Sequence, residues 1–265
     1  MVKAALGVEQ LVNVGRNADF AWDLFDSAAY FEHNYRQLRA DDRKIIVTIA
    51  DHFNGISPRM RGARAIDVGA GANLYPALAM LPFADDITLY ERAETNVQWL
   101  ERERQSPQAS WAPFWAAMSE GRAAYQEIDQ PLKVLGDHTR VVQGDVFQLP
   151  NQQYDLGTMF FVAESITRTR SEFSRATRSF VDSLRPAAPF AVAFMRESAG
   201  YTVGDRRFPA YAVDEREIAR LLGKIAHDLR IEVIESSDLR DGYTGMIIVT
   251  GRAGTTNTTR RGDKR

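Results

Sequence analysis

One stretch decides the fold of this chain: Arg64-Ala65-Ile66-Asp67-Val68-Gly69-Ala70-Gly71-Ala72-Asn73-Leu74-Tyr75. It predicts a short buried strand, a glycine turn and the start of a helix. Gly69 and Gly71 let the backbone pass close under a ligand because no Cβ stands in the way. The helix that follows points its free N–H groups into the same space. We expect Asp67 to fix the loop by accepting hydrogen bonds from its backbone N–H groups.

A second carboxylate follows at the spacing of a Rossmann-like fold. The run Asp86-Ile87-Thr88-Leu89-Tyr90-Glu91 predicts another strand, and Glu91 ends it where such a sheet places its acceptor for ribose hydroxyls. Leu74 stands where a dinucleotide fingerprint needs a third glycine or alanine, so a pyrophosphate fits poorly. S-Adenosylmethionine, which carries a sulfonium, an amino group and a ribose, fits better. A glycine turn in an unrelated α/β protein is the alternative.

Composition limits the class of protein. The chain has 265 residues, of which 45% are hydrophobic and 26% charged, and its formal charge is -2. The length fits one domain with an appended lid, and the absence of a basic surplus argues against nucleic acid as a partner. With no cysteine, disulfides, thiolate metal sites and a thiol nucleophile are excluded. No run has the apolar length of a signal peptide or a membrane span, so we expect a cytoplasmic enzyme without a membrane partner.

Aromatic residues crowd the segment before the first strand. Helical pieces over residues 19–25 and 27–36 would place several of these rings on one side, and an amphipathic helix follows over 40–53. The stripe predicts either a helix packed onto the domain or a lid over a cationic cofactor and a flat substrate. The aromatic residues are Phe20, Trp22, Phe25, Tyr30, Phe31 and Tyr35.

Beyond the second strand, the sequence predicts alternating strands and helices and then an antiparallel pair of strands at the sheet edge. The connection over 196–213 is long enough to indicate a functional segment. A weak helix is predicted over 4–14 and a disordered tail from 254 onward. The predicted strands cover 141–146, 155–162, 189–195, 229–235 and 245–251, and the predicted helices cover 171–184 and 214–225.

From about residue 22 to residue 251 the chain resembles the nicotinamide, phenylethanolamine and thioether (indolethylamine) N-methyltransferases, a branch of the class I S-adenosylmethionine-dependent enzymes. The glycine loop is common to methyltransferases at large. The segments Tyr30-Phe31-Glu32-His33-Asn34-Tyr35 and Tyr201-Thr202-Val203-Gly204-Asp205 are more specific to this branch. The resemblance implies a Rossmann-like α/β fold, with a seven-stranded, mostly parallel sheet, one antiparallel edge strand and an N-terminal helical lid. It divides the chain into a lid (1–60), a methyltransferase domain (61–251) and a tail (252–265).

The same resemblance implies a set of cofactor-binding residues. The two tyrosines of the lid would cover S-adenosylmethionine, the glycine loop would cradle its methionine part, and the ends of the next two strands would hold ribose and adenine. Trp22 replaces a tyrosine of the family and offers a stacking surface instead of a hydroxyl. The implied residues are Trp22, Tyr30, Tyr35, Gly69, Gly71, Asn73, Tyr75, Glu91, Asn96, Asp145, Val146 and Phe160.

Three residues are candidates for catalysis. Glu164 corresponds to the family's substrate-facing acidic position, where a carboxylate would fix an amine and favour the charge that develops on it. A helix cap is the alternative role for this side chain. Glu197 is the next candidate. His33 could take a proton from an indole N–H or a phenol, although an exposed histidine of the lid is the simpler interpretation.

Aromatic residues also indicate the kind of acceptor. Phe161, Phe194 and Tyr201, with Ser198 nearby, would form a flat slot for an aryl, indole or pyridine ring. The nicotinamide enzyme has an aspartate where this chain has Phe194, which argues against nicotinamide. The leading hypothesis is methyl transfer to a nitrogen of an aromatic or heteroaromatic amine in specialised metabolism. The alternatives are methylation of indole C3 in a tryptophan-derived compound such as a cyclodipeptide, and a non-catalytic S-adenosylmethionine-binding protein. No metal is required, and the oligomeric state is left open.

Overall fold

A computed structural model describes residues 15–55, 62–235 and 244–254. The helix predicted over 4–14 and the disordered tail predicted beyond 254 lie outside these ranges. Within them, no helix combines the length and the apolar character that crossing a membrane requires.

Seven strands form one sheet in the order β3-β2-β1-β4-β5-β9-β8. All are parallel except β9, which runs antiparallel to both of its neighbours, one place in from the edge. The predicted mixed sheet is therefore confirmed. The last strand runs to Ala253 and so includes two residues that we assigned to the tail. The strands are β1 (Arg64–Val68), β2 (Asp86–Glu91), β3 (Thr139–Gln143), β4 (Leu156–Phe160), β5 (Pro189–Arg196), β6 (Tyr201–Val203), β7 (Arg206–Phe208), β8 (Ala226–Ile234) and β9 (Gly245–Ala253).

The long connection after β5 contains a small hairpin of its own. Strands β6 and β7 pair antiparallel and lie apart from the main sheet. The sequence marked this segment as functional but did not predict its strands. The hairpin has a side of buried apolar residues, which include Val203 and Phe208 and pack against the N-terminal segment.

Helices cover the sheet. The N-terminal helix predicted over 19–25 is wrong, because that segment forms two short 3-10 turns, Asn17–Asp19 and Trp22–Leu24. Two helices begin with a side-chain cap. The Thr169 hydroxyl accepts from the Glu172 N–H, and the Asp214 carboxylate accepts from the Glu217 N–H. The helices are α1 (Ser27–Asn34), α2 (Ala40–Asn54), α3 (Tyr75–Met80), α4 (Glu94–Gln105), α5 (Ala112–Ser119), α6 (Ala123–Gln126), α7 (Pro131–His138), α8 (Arg170–Ser183) and α9 (Glu215–Leu222).

Two apolar clusters hold these layers together. One contains the inward faces of α2, α3 and α5, and the other contains those of α8 and α9. The central strands β1, β2 and β4 are buried between them, as parallel strands covered on both faces must be. Because the strands are parallel, their carboxyl ends meet at one edge of the sheet, and the loops that follow them face the same space.

Candidate active site

A cleft of about 800 Å³, its open mouth included, lies at the carboxyl ends of β1, β2, β3 and β4. Backbone and small side chains of the glycine loop form its floor. Aromatic side chains of the N-terminal segment and the β6–β7 hairpin form its cover. This position is the one in which open α/β sheets bind nucleotides and related ligands.

The glycine loop has a backbone that only glycine adopts easily. Gly69 and Gly71 have φ angles of 67° and 57°. The Gly69 N–H donates to the carbonyl of Tyr90 at 2.7 Å, which fixes the loop against the end of β2. A Cβ on Gly69 would lie 2.5 Å from Cγ2 of Val162, inside van der Waals contact. Gly69 is therefore closely packed against Val162, and both residues line the cleft.

Asp67 does not hold the loop, and our expectation for it is wrong. It is the register partner of Thr158 on β4, and its Oδ1 accepts a hydrogen bond from the Thr158 hydroxyl at 2.8 Å. Burial raises the pKa of Asp67 to about 8, although the Thr158 hydrogen bond opposes the shift. Its Oδ2 has no partner among the described atoms. Asp67 therefore favours the protonated form, inside the sheet.

Glu91 takes the role that we assigned to Asp67. Its Oε2 accepts from the Gly71 N–H at 2.9 Å, and its Oε1 accepts from the N–H groups of Arg92 and Ala93 at 2.8 Å each. Burial raises its pKa, and these backbone donors oppose the rise by favouring the ionised form. Glu91 lines the cleft, so one carboxylate both fixes the loop and faces the ligand space.

The cover over the cleft is built from two distant parts of the chain. Phe208 of the hairpin stacks on Trp22 and on Tyr201, with ring centroids 5.4 and 5.5 Å apart. Phe25 packs against Phe208 and Tyr30, at 5.2 and 5.1 Å. The sequence predicted the rings of the lid but missed Phe208. Nothing local in the sequence indicates which rings the hairpin meets.

The aromatic stripe divides between its two predicted roles. Tyr30 and Tyr35 line the cleft, whereas Phe31 packs into the core against Trp99 and Trp111. A buried hydrogen bond joins α1 to α4: the Ser27 hydroxyl donates to Oδ1 of Asn96, a residue that lines the cleft, at 2.6 Å.

Glu164 is fully buried and does not line the cleft itself, although the next residue, Ser165, does. Its Oε1 accepts from the Met195 N–H at 2.9 Å and from the Ser165 hydroxyl at 3.2 Å. Within the described structure its Oε2 has no partner. Burial raises its pKa to about 7, with the Met195 hydrogen bond opposing. It is not a helix cap, because Thr169 caps α8.

Of the twelve implied cofactor residues, ten line the cleft. Tyr75 and Asp145 do not. Tyr75 faces the core, where its ring stacks on Phe114 at 5.8 Å. The carboxylate of Asp145 is occupied by Arg92 Nη1 at 3.3 Å and by the Phe147 N–H at 2.9 Å. The ten are Trp22, Tyr30, Tyr35, Gly69, Gly71, Asn73, Glu91, Asn96, Val146 and Phe160.

The predicted acceptor residues divide in a similar way. Phe161 and Tyr201 line the cleft. Phe194 does not, because alternation along β5 turns it to the opposite face, where its ring meets Phe173 at 5.9 Å in the core. Ser198 is buried beside the cleft and accepts from the Gly200 N–H at 3.4 Å.

None of the three catalytic candidates is among the residues that line the cleft, and two of them are exposed elsewhere. His33 is exposed on a separate groove with Glu32 and Lys44, because the outer face of α1 carries it. Glu197 is exposed, and its Oε2 accepts from the Thr244 hydroxyl at 2.8 Å. Conversely, Asn17 lines the cleft although no sequence signal marked it.

The comparisons with known proteins agree with this geometry. The model of the NNMT/PNMT/TEMT family matches residues 16–252. Phenylethanolamine N-methyltransferase of Macaca mulatta is 25% identical over 240 residues, which cover 79% of this chain and 80% of that enzyme.

Solved structures share the fold. A 1,6-didemethyltoxoflavin-N1-methyltransferase of Burkholderia thailandensis, with its acceptor and S-adenosylhomocysteine bound, is 15% identical with a TM-score of 0.52 and covers 96% of this chain and 94% of that one. An S-adenosylmethionine-dependent methyltransferase of Clostridium acetobutylicum is 14% identical with a TM-score of 0.54, at 87% and 100% coverage. Since the family match spans almost the whole chain, this protein is an S-adenosylmethionine-dependent methyltransferase that belongs to the NNMT/PNMT/TEMT family.

Proposed function

We propose that the enzyme transfers the methyl group of S-adenosylmethionine to a nitrogen of a small aromatic or heteroaromatic amine. The observation that carries this proposal is the buried carboxylate of Glu164, which lies behind the wall of the cleft, has one oxygen without a partner in the described structure and acts electrostatically on Tyr201 of that wall. A buried acceptor without a donor is costly unless a ligand supplies one. An amine N–H is a donor of the right kind.

The cleft fits the cofactor in shape and in donor chemistry. The loop over Gly69 and Gly71, where a Cβ on Gly69 would clash with Val162, gives a narrow cradle for the methionine part. Glu91 is placed for the ribose hydroxyls, since carboxylate oxygens accept more than one hydrogen bond each. Val146 follows β3 and offers an apolar contact for adenine. When bound, the cofactor supplies an electrophilic methyl group on a sulfonium, and the rings of Tyr30 and Tyr35 favour such a cation nearby.

The residues of the cover serve the reaction by exclusion and orientation. Trp22 and Phe25 close one side of the cleft, with Phe208 packed against both of them, and they keep water from the transfer path. Phe161 and Tyr201 give a flat acceptor two faces between which to lie, so that its nitrogen is held in line with the departing bond. Once the two reactants are held in this geometry, methyl transfer needs little further catalysis from the protein.

Glu164 handles the proton. A neutral amine gains positive charge as it is methylated and then loses a proton, and a carboxylate with a pKa of about 7 is matched to accept that proton near neutral pH. The ionised form also stabilises the charge that develops on nitrogen. The name of the macaque relative, a phenylethanolamine N-methyltransferase, supports an acceptor with an aromatic ring and an amine.

Methylation of indole C3 is the second candidate, because the same base and the same flat walls would suit an indole N–H that must be deprotonated. His33 gives it no support, since its position on the outer face of α1 is remote from the cleft. Membership in the methyltransferase family sets aside the non-catalytic alternative. A cytoplasmic location and a place in specialised metabolism stay predictions.

The test is methyl transfer into a panel of aromatic amines and indoles, with the methylated atom identified in the product. We expect Glu164→Gln to lower turnover by about tenfold or more, with the affinity for S-adenosylhomocysteine unchanged. Glu197→Gln, which changes an exposed carboxylate near the same strand, is the matched control and should keep its turnover. Full turnover in Glu164→Gln would remove that residue from the mechanism, and a product methylated at C3 would favour the second candidate.

A further inference from the structure

Asn17, a residue of the cleft wall, carries a buried hydrogen-bond acceptor without a partner in the described structure. Its side chain is 2% exposed and lines the cleft. The amide Nδ2 donates to Oδ2 of Asp145 at 3.4 Å, and this contact fixes the orientation of the amide because a carboxylate accepts only from the nitrogen end. Oδ1 therefore points the other way, and among the described residues it has no partner.

The backbone around Asn17 is held firmly in this position. Its N–H donates to Oε2 of Glu172 on α8 at 2.7 Å, and its carbonyl accepts from the indole N–H of Trp22 at 2.9 Å. The carbonyl of Gly15 accepts from the Thr167 hydroxyl at 2.9 Å. This segment, residues 15–19, is a strap across one end of the cleft. A buried amide on such a fixed strap is set for one specific contact.

That end of the cleft is the end that adenine would occupy. Gly144 and Val146, which follow β3, line the cleft on either side of Asp145, whose carboxylate is occupied by Arg92. Asp145 is the residue that the family resemblance implies for adenine. In this structure Asn17, which is hydrogen-bonded to Asp145, adds a buried acceptor without a described partner at that end.

We propose that Oδ1 of Asn17 accepts a hydrogen bond from the 6-amino group of adenine and so makes the enzyme selective for adenosine over nucleosides without that amine. The inference rests on the placement of the nucleoside proposed above, but not on the identity of the methyl acceptor. A 6-amino group is a donor in the plane of the base, and it satisfies the acceptor that is otherwise left unpaired in a buried place. Donor recognition of this kind discriminates strongly, because the analogue that lacks the donor leaves the buried acceptor unpaired.

The experiment uses calorimetry with the full chain and three ligands: S-adenosylhomocysteine, its analogue with hydrogen at C6, and its inosine analogue with a carbonyl at C6. We expect the wild type to bind the first about tenfold more tightly than the second. The inosine analogue should bind most weakly, because its carbonyl would face another acceptor. In Asn17→Ala, affinity for S-adenosylhomocysteine should fall about tenfold while the affinity for the C6-hydrogen analogue stays within about twofold.

Two controls separate recognition from support of the strap. Glu172→Ala releases a backbone contact of the strap without changing the Asn17 side chain, and it should weaken all three ligands by the same factor. Asn34→Ala removes another buried amide whose Oδ1 is likewise unpartnered in the described structure but lies outside the cleft wall, and it too should leave the ratios unchanged.

If Asn17→Ala lowered the affinities for all three ligands by the same factor, the proposal would be overturned and Asn17 would have a purely structural role. A wild type that binds S-adenosylhomocysteine and the C6-hydrogen analogue equally well would also overturn it, even if the variant failed to fold. Because the substrate that receives the methyl group is absent from these measurements, they are independent of whether the enzyme methylates an amine.

Discussion

Replacing Gly69 with alanine should destabilise the enzyme through two separable effects. The left-handed backbone, at φ 67°, costs alanine about 1–2 kcal/mol. The new methyl group would also stand 2.5 and 2.8 Å from the two Cγ atoms of Val162, and overpacking of this kind costs about 1–3 kcal/mol. Together we expect a loss of about 3 kcal/mol in the free energy of unfolding, or roughly 6–12 °C in Tm for a chain of this size.

A matched glycine isolates the backbone effect. Gly121 has φ 73°, and a Cβ there would meet no described atom within 4 Å. Gly121→Ala should therefore cost only about 1–2 kcal/mol. The steric part should be relieved in the double variant Gly69→Ala/Val162→Ala, which we expect to be more stable than the sum of the two single changes predicts.

The assay is thermal unfolding together with calorimetry of S-adenosylhomocysteine binding. Because the Gly69 N–H anchors the loop to Tyr90, a displaced loop should also lower the affinity for S-adenosylhomocysteine by about tenfold or more. Adding Val162→Ala should restore part of that affinity. If Gly69→Ala were no more destabilising than Gly121→Ala, the loop would not be packed as tightly as the structure indicates, and the reasoning would be refuted.

Three further predictions concern the cover and the two buried acids. Phe208→Ala should lower the free energy of unfolding by about 3 kcal/mol and weaken the binding of S-adenosylhomocysteine. Leu24→Ala changes a residue that is 50% exposed and should leave both quantities unchanged. Thermal melts measure the first quantity and calorimetry the second. For Glu164, with a pKa of about 7, kcat/KM should fall as the pH drops through that value, and the Gln variant should lack this limb of its pH profile. The pKa of Asp67 is raised to about 8, so the folded state retains a proton that the unfolded chain releases. Stability should thus decrease as the pH rises from about 4 to 8, and Asp67→Asn should flatten that slope in melts; parallel curves for the two proteins would contradict the assignment.

The sequence predicted those parts of the fold that local chemistry determines. The turn over Gly69 and Gly71, the strand that ends at Glu91 and the helix cap at Asp214 follow from residues close together in the chain, and the structure has all three. The mostly parallel sheet was implied by the resemblance to the N-methyltransferases, and the structure has it.

What the sequence did not predict depends on pairing between distant segments. The contact of Phe208 with Trp22 needs the hairpin to fold back over the N-terminal turns. Phe194 was assigned to the acceptor slot because it stands where the nicotinamide enzyme has an aspartate, but a shift of one residue in strand phase moves a side chain to the opposite face. Asn17 is held at the cleft by contacts with residues far along the chain, among them Glu172, which accepts its N–H.

The positions of Asp67 and Glu91 in the sheet determine which of these two carboxyl groups favours its protonated form. Asp67 pairs with Thr158 across parallel strands and meets one hydroxyl in a fully buried place, so the protonated form is favoured. Glu91 ends its strand under three backbone N–H groups, which favour the ionised form. Two ionised carboxylates this close would repel each other, and the Glu91 charge itself contributes to the raised pKa of Asp67. Holding Asp67 protonated removes the repulsion between the two carboxylates and leaves the charge of Glu91 beside the loop. A single carboxylate there suits a ligand that brings hydroxyl donors and a cation.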